Sequence, residues 1–463
     1  MLKVDQLYLH NIGPFSSQKL EFDIAKKHPD IHIFTGPNGS GKTTILHAIA
    51  SCFDFFENDH KEHTSNLFYK RFHKFSEDKK TMAESYAHCI LRTSEKNKVL
   101  DKIAVYGCKN CGNIHQDYEK TVTNSNAISK NGKNYQTRPH SQKIGEYKRA
   151  IVSKSLRKKE FEFAAFGYSG YRLIKSSHIE IENQDSFNPL HLALEFVKDK
   201  NTGFLVSNWM VSRFSKSAIE RVKGNDKLAN KYMQGVNVLQ NAISELTNDE
   251  IKFEIDTNPW NVKLLFNSKE VEFDVLPDGL RSLLSWLGDL LMRLDEIPWK
   301  NDSIAVNEQN IILLLDEIEV HLHPKWQFLI LPLTKKLFPN AQIFVSTHSP
   351  FVINSLDNAK IHVLKTKSGT SKIKEILLSN TGYSYSYVYE NILETTNRFG
   401  IEAMNKIKEF NVLEEQLANG DDSVEEQFLA ILKELKDEGD EVMDIISSKL
   451  AKLQRLKGKN YLS

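Results

Sequence analysis

Residues 36–44 read GPNGSGKTT, and Gly36, Gly41, Lys42 and Thr43 satisfy the spacing GxxxxGK[ST]. The run before it, IHIFT at 31–35, is short, apolar and strand-like. The run after it, KTTILHAIASCFDF at 42–55, repeats apolar side chains at helical spacing. A strand, a glycine-rich turn and a helix in that order predict an α/β fold around a phosphate site. Glycines let the backbone N–H groups turn inward, and the helix start adds its positive end. The predicted ATP-binding loop is Gly36, Pro37, Asn38, Gly39, Ser40, Gly41, Lys42, Thr43 and Thr44. Lys42 would pair with the β- and γ-phosphates, and the Thr43 hydroxyl would coordinate Mg²⁺.

Residues 311–317, IILLLDE, supply the second half. An apolar strand ending in two acids puts carboxylates at the edge of a sheet that is covered on both faces. Asp316 is the predicted Mg²⁺ ligand, and Glu317 the predicted base for the attacking water. The next apolar strand, AQIFVS at 341–346, runs into Thr347-His348-Ser349-Pro350. His348 could reach the same edge and hydrogen-bond the γ-phosphate or the water.

The chain has 463 residues, 61 Lys+Arg against 60 Asp+Glu, 40% hydrophobic residues and four cysteines. That length suits two or three lobes. The balanced charge excludes a whole-molecule basic field for nucleic acid, although local patches remain open. So few cysteines do not make a disulfide framework and fit a reducing compartment. The start of the sequence shows no signal-peptide run, and no stretch is long and apolar enough for a membrane helix, so the expected location is cytoplasmic.

Along the chain, strands are expected at 2–8 and 20–23. Residues 58–159 read as a polar insertion with strands near 86–93 and 101–107 and a polar stretch at 120–142. Residues 188–300 read as a mainly helical lobe with a strand pair at 251–256 and 262–267 and a helix at 279–295. More strands are expected at 360–366 and 372–378. Helices fill 384–456, with breaks near Asn419-Gly420 and Gly439. In the insertion, Cys108-Lys109-Asn110-Cys111-Gly112 has the CxxC spacing of two thiolates on one Zn²⁺. Cys108 and Cys111 are the candidate zinc ligands, with Cys89, His88 and His115 for the remaining positions. Reduced cysteines in a hairpin turn are the plainer alternative. Phe68–Phe75 and the basic run Lys143–Lys159 mix rings with cations, a composition that suits DNA as well as protein contact or a solvated helix face.

GPNGSGKTT, LLLDEIEVHLHP and STHSP together resemble the ABC-type ATPase heads of the RecF/SMC/OLD group. The opening LYLHNIGPFSSQKLEFD resembles that group's first hairpin. The resemblance implies an ABC-type P-loop head over 1–57 and 160–400 that closes on ATP as a head-to-head dimer. Each nucleotide would lie between one subunit's phosphate loop and the other's signature turn. The matching turn is Leu276–Ser282, where Asp278, Gly279, Arg281 and Ser282 are the candidate in-trans contacts. Pro277 stands where the group usually has Ser, which puts the rate and geometry of closure in doubt. Phe166–Arg172 resembles a YGxxR segment, and Arg172 is a candidate γ-phosphate sensor.

No Glu strand followed by a DxD strand comes after Asn354, so a fused Toprim nuclease is not expected. The segment from Gly382-Tyr383-Ser384 into helices over 401–463 is similar to the PtuA-like ATPases of Septu and retron-linked anti-phage defence. That resemblance implies homo-oligomers, a C-terminal oligomerisation or partner-binding region, and a small separate HNH nuclease. An AriA-like ATPase holding a Toprim effector, a RecF-like DNA-repair ATPase and a non-hydrolysing nucleotide sensor are the competing readings.

Overall fold

The computed structural model of the chain describes residues 1–22, 30–50, 53, 86–93, 98–106, 142–151, 153, 156, 159–170, 187–194, 196, 202–258, 260–394 and 399–461. Two compact units appear, Met1–Val388 and Tyr389–Ser463.

The first unit is built on two sheets. Strands β1 (Leu2–Ile12), β2 (Phe15–Glu21), β4 (Tyr86–Thr93) and β5 (Lys98–Tyr106) form an antiparallel sheet in the order β2-β1-β4-β5. In β1 the buried apolar positions change parity, from Leu2 and Val4 to Leu7 and Leu9, with Lys3 and Asp5 buried as well before the switch. The β1–β4 register shifts between Val4 and Gln6. One extra residue in a strand inverts which side chains face the core, so this bulge explains the switch. The sequence places the strands near 86–93 and 101–107 in an insertion. In the structure they extend the sheet begun by β1 and β2.

The second sheet has the order β13-β12-β3-β11-β10-β6, with β3 (Asp30–Thr35), β6 (Ala164–Tyr168), β10 (Ile311–Leu315), β11 (Gln342–Ser346), β12 (Lys360–Lys367) and β13 (Thr370–Leu378). All neighbours are parallel except β13, an antiparallel edge strand. Helices α1 (Lys42–Ala50) and α2 (Gln142–Ile151) follow β3 and precede β6. Every residue of β10 and β11 is buried, as unbroken apolar strands in a covered parallel sheet require. Each such side chain contributes roughly 1.5–3 kcal/mol of burial.

Helix α2 comes from the basic run Lys143–Lys159. Its Ile144, Tyr147 and Ala150 are buried, and Lys148 is buried with them. The Tyr147 hydroxyl accepts from the Ala165 amide at 2.9 Å, fastening the helix to β6. One cation of that run is therefore turned inward, away from any nucleic acid.

The helical lobe comprises α3 (Thr202–Val222), α4 (Asp226–Thr247), the sheet of β7 (Ile251–Thr257), β8 (Trp260–Phe266) and β9 (Lys269–Val271), and α5 (Asp278–Glu296). Gly235 on α4 lies so close to Trp209 that a Cβ there would sit 2.9 Å from the indole. Helix α6 (Pro324–Leu337) and the short α7 (Pro350–Ile353) complete the unit's main helices. The second unit contains α8 (Ile401–Ala418), α9 (Glu425–Asp437) and α10 (Asp440–Lys457). They share a core of Phe410, Leu417, Phe428, Leu435, Leu450 and neighbours. Among the described residues no helix is long and apolar enough to cross a membrane.

Beneath the second sheet lies a buried polar cluster. His32 Nδ1 and His362 Nε2 are 3.2 Å apart, and His32 Nε2 is 2.8 Å from Asp30 Oδ1. Lys3, almost fully buried, places Nζ 3.4 Å from Asp30 Oδ2. Burial pushes both imidazoles below their usual range, and His362 well below it. For His362 the neighbouring His32 and Lys360 add to the effect, while for His32 Asp30 works against it. Both are therefore neutral in the folded chain. Below about pH 6.5 the unfolded chain takes up protons that the folded chain refuses, so stability falls with pH. Melting temperature should hold between pH 8 and 7 and drop steadily from pH 6.5 to 5. His362→Phe, which keeps a ring among Phe22 and Phe34, should flatten that drop. A melting temperature unchanged down to pH 5 in the wild-type chain would contradict this.

Candidate active site: the carboxyl edge of the parallel sheet

Strands β3, β11 and β10 are adjacent and parallel, so the segments that leave them emerge side by side. Ser346 pairs with Phe34, and Leu315 with Val345. The loop 36–41, the acids 316–317 and the turn 347–349 therefore meet at one edge, where open α/β sheets bind ligands.

The loop's crest, Pro37, Asn38 and Gly39, is exposed, while Ser40 and Lys42 are buried beneath it. Gly41 has φ +95°, and a Cβ there would lie 2.5 Å from the Phe15 ring. Glycine is thus required both by the backbone and by the close approach of Pro14-Phe15. Lys42 Nζ donates to the carbonyls of Gly36 at 3.0 Å and Pro37 at 3.1 Å. Burial pushes its ammonium down to about 8, against the pull of Asp316, Glu317 and Glu319.

The Thr43 hydroxyl donates to Asp316 Oδ1 at 3.0 Å. Two hard oxygen donors in contact, one anionic, at the start of a phosphate-binding helix fit Mg²⁺, which keeps several waters and takes few protein ligands. Among the described residues no group of three or more His, Cys, Asp and Glu is arranged for a metal. A site of this two-ligand kind does not need one.

Ser346 is a hub that the sequence did not single out. Its hydroxyl donates to Asp316 Oδ1 at 2.5 Å and accepts from the Glu317 amide at 2.9 Å. One buried side chain on β11 thereby fixes the carboxylate of one acid and the backbone of the next. Glu317 itself has φ +48°, a left-handed conformation that costs energy for a residue with a Cβ and recurs at functional sites. His348 follows at the end of β11, half-buried. Burial and the Lys42 charge push its imidazole below the usual range, against Asp316. It is neutral near pH 7 and can donate or accept a hydrogen bond.

Gly170 decides where the Glu317 side chain lies. A Cβ at 170 would meet Glu317 Cβ at 2.9 Å, Glu317 Oε2 at 3.0 Å and Val320 Cγ2 at 3.1 Å. Gly170→Ala should therefore displace Glu317, lowering kcat by about 10–100-fold with ATP affinity held within about threefold, since an ångström of misplacement can cost that much. Steady-state kinetics with a binding isotherm checks it, and an unchanged kcat would contradict it.

The signature turn starts α5. Asp278 is exposed, Arg281 is largely covered, with 16% of its side chain exposed and Nη1 3.4 Å from Asp278 Oδ1, and Ser282 is buried within its own chain. The exposed residue at this helix start is therefore Asp278, with Arg281 partly covered behind it. Gly279 packs under the chain that follows Glu317, where a Cβ would come within 2.8 Å of the His321 carbonyl oxygen. Asp289 on α5 accepts from the Tyr168 hydroxyl at 2.8 Å and from Arg293 Nε at 2.6 Å, so the same helix is tied to β6.

Lys42, Thr43, Asp316, Glu317 and His348 are thus brought together at one edge. Arg172, Cys108, Cys111, His115, Cys52, the stretch 120–142 and Phe68–Phe75 lie outside the described residues. Cys89, a candidate zinc ligand in sequence, is buried and disulfide-bonded, which removes its thiolate from that set.

A family model described as "AAA domain, putative AbiEii toxin, Type IV TA system" matches residues 157–354, and one described as "AAA domain" matches residues 2–76. A Septu protein PtuA of Bacillus thuringiensis is 25% identical over 77% of this chain and 74% of its own. The Retron Vc95 probable ATPase of Vibrio cholerae serotype O1 biovar El Tor is 23% identical over 93% of this chain and 82% of its own. The Retron Ec83 probable ATPase of Escherichia coli is 23% identical over 86% and 77%. Among solved structures, the SMC head domain from Thermotoga maritima matches with TM-score 0.39 and 15% identity, over 82% of this chain and 99% of that one. An SmcHead bound to the C-winged helix domain of ScpA matches with TM-score 0.46 and 11% identity, over 81% and 98%. At such scores the fold rests on the strand order and motif placement given above. On that ground the chain has an ABC-type α/β fold with a phosphate-binding loop, and its homologues at 23–25% identity over most of its length are named Septu protein PtuA and retron probable ATPases.

Proposed function

We propose that this chain is the ATP-binding and hydrolysing subunit of an anti-phage defence complex, and that it holds and regulates a separate small nuclease of the HNH type. The observation that carries the ATPase reading is the meeting of Lys42, Thr43, Asp316, Glu317 and His348 at one sheet edge, with Thr43 and Asp316 in direct contact. Lys42 and the amides of Gly39–Thr44 hold the β- and γ-phosphates. Thr43 and Asp316 would hold Mg²⁺, which would neutralise charge on the phosphates. Glu317 takes a proton from water as its oxygen bonds to the γ-phosphorus and the bond to the β,γ-bridging oxygen breaks, giving ADP and phosphate. His348, neutral, hydrogen-bonds the γ-phosphate. Asp278, Arg281 and the first-turn amides of α5 from a second copy close the site, with Arg172 as a further sensor. On this reading residues 1–57 and 160–400 form the head, 58–159 an insertion with zinc on Cys108 and Cys111, and 401–463 the region that binds copies or partner.

Co-expression with the product of the adjacent reading frame should yield a stable complex whose DNA cleavage depends on the nucleotide state of this chain. A neighbouring nuclease that neither co-purifies nor responds to nucleotide would contradict the regulatory half. Pro277 favours a second reading, a slow sensor whose bound ATP holds the oligomer together. Burst-free turnover below about one per hour would support that reading over regulated hydrolysis.

A further inference from the structure

Two residues after Glu317, Glu319 makes a contact that no role above uses. Its Oε1 accepts from the His348 backbone amide at 2.7 Å. Its Oε2 is buried and has no hydrogen-bond partner among the described residues. The Thr347 hydroxyl beside the carboxyl group favours its charged form. Ser346 and Glu319 thus form two struts between the same pair of segments. The hydroxyl of Ser346 reaches from β11 to residues 316–317, and the carboxyl of Glu319 reaches back to residue 348. Between them they tie the backbone at residue 317 to the backbone at residue 348.

We propose that Glu319 is a positioning residue for ATP hydrolysis, whose carboxyl group pins the His348 loop to the segment carrying Glu317. This rests on the ATPase reading above. Ionised or neutral, the carboxyl group keeps an oxygen that accepts from the His348 amide. Burial, helped by the Glu317 charge, pushes Glu319 above the usual carboxylate range even though the His348 amide pulls it down. The charges facing it are Glu317 on its own segment and Lys42 from the phosphate loop, with Asp316 and His348 beside them.

Gln reproduces a neutral carboxyl in size and keeps the accepting oxygen, so Glu319→Gln should hold kcat within about threefold of wild type. Glu319→Asp, one methylene short, and Glu319→Ala should each lower kcat by about 10–100-fold, with KM for ATP within about threefold. Rates are normalised to the number of chains that bind a fluorescent ATP analogue, so misfolded protein does not count. If Glu319 acts through His348, Glu319→Asp should cost less than about twofold in a His348→Ala chain, because residues that work as one unit are not additive. Additive losses, an inactive Glu319→Gln chain, or unchanged kcat in Glu319→Asp would each overturn the proposal. Glu317→Gln run alongside separates the two failures. If it leaves turnover unchanged, Glu317 is not the base, and the site reading on which this proposal rests falls with it. If it abolishes turnover while the Glu319 variants behave otherwise than stated, only the positioning role falls.

Discussion

Glu317→Gln should lower ATP turnover by about 10²–10³-fold while ATP affinity stays within about threefold. Gln keeps the size and the left-handed backbone at residue 317, where φ is +48°. It also leaves the amide that donates to Ser346 in place. Only the proton acceptor is lost. Because Asp316 and Thr43 keep their contact, the Mg²⁺ ligands are untouched. Phosphate release under saturating ATP measures the effect, and a turnover within threefold of wild type would show that Glu317 is not the base.

Lys42→Ala should weaken ATP binding by about 10²-fold, as expected when a cation aimed at phosphates is removed from a water-poor site. The wild-type chain should show a related pH effect. Burial brings the Lys42 ammonium down to about 8. Its positive charge is present below that pH and lost above it. ATP affinity should therefore be flat from pH 6.5 to 7.5 and fall by roughly tenfold at pH 9, with proton uptake on binding on the alkaline side. Calorimetry in two buffers of different ionisation enthalpy reads both quantities. The alkaline fall should be absent in Lys42→Ala, and an equal fall in both chains would assign it elsewhere.

The phosphate loop and the two acids were legible because their chemistry is local. GPNGSGKTT and IILLLDE each carry a strand, its end and the reactive group within a few residues. His348 was legible for the same reason, as a polar residue just past an apolar strand. What escaped notice depends on contacts between distant segments. Ser346 looked like the last residue of a strand, and only the β10–β11 register places it between Asp316 and Glu317. Gly170 is only one residue of the Phe166–Arg172 segment in the sequence, and the structure sets it against Glu317. The strands at 86–93 and 98–106 read as an insertion because their surroundings are polar, yet pairing with β1 joins them to the N-terminal sheet. The signature turn was legible as a helix start. That Ser282 is buried within its own chain, leaving Asp278 exposed, needed the packing of α5.

The site is proposed to be composite, with half of each nucleotide's contacts coming from a second copy. A structure of the Glu317→Gln chain with ATP and Mg²⁺ tests this most directly. It should show the γ-phosphate within hydrogen-bond distance of Lys42 Nζ and the His348 ring, and Mg²⁺ on Thr43 and Asp316. The start of α5 from a second chain, at Asp278–Arg281, should close over the same phosphate. ATP bound at this edge with no second chain near it, or bound elsewhere, would contradict the composite site.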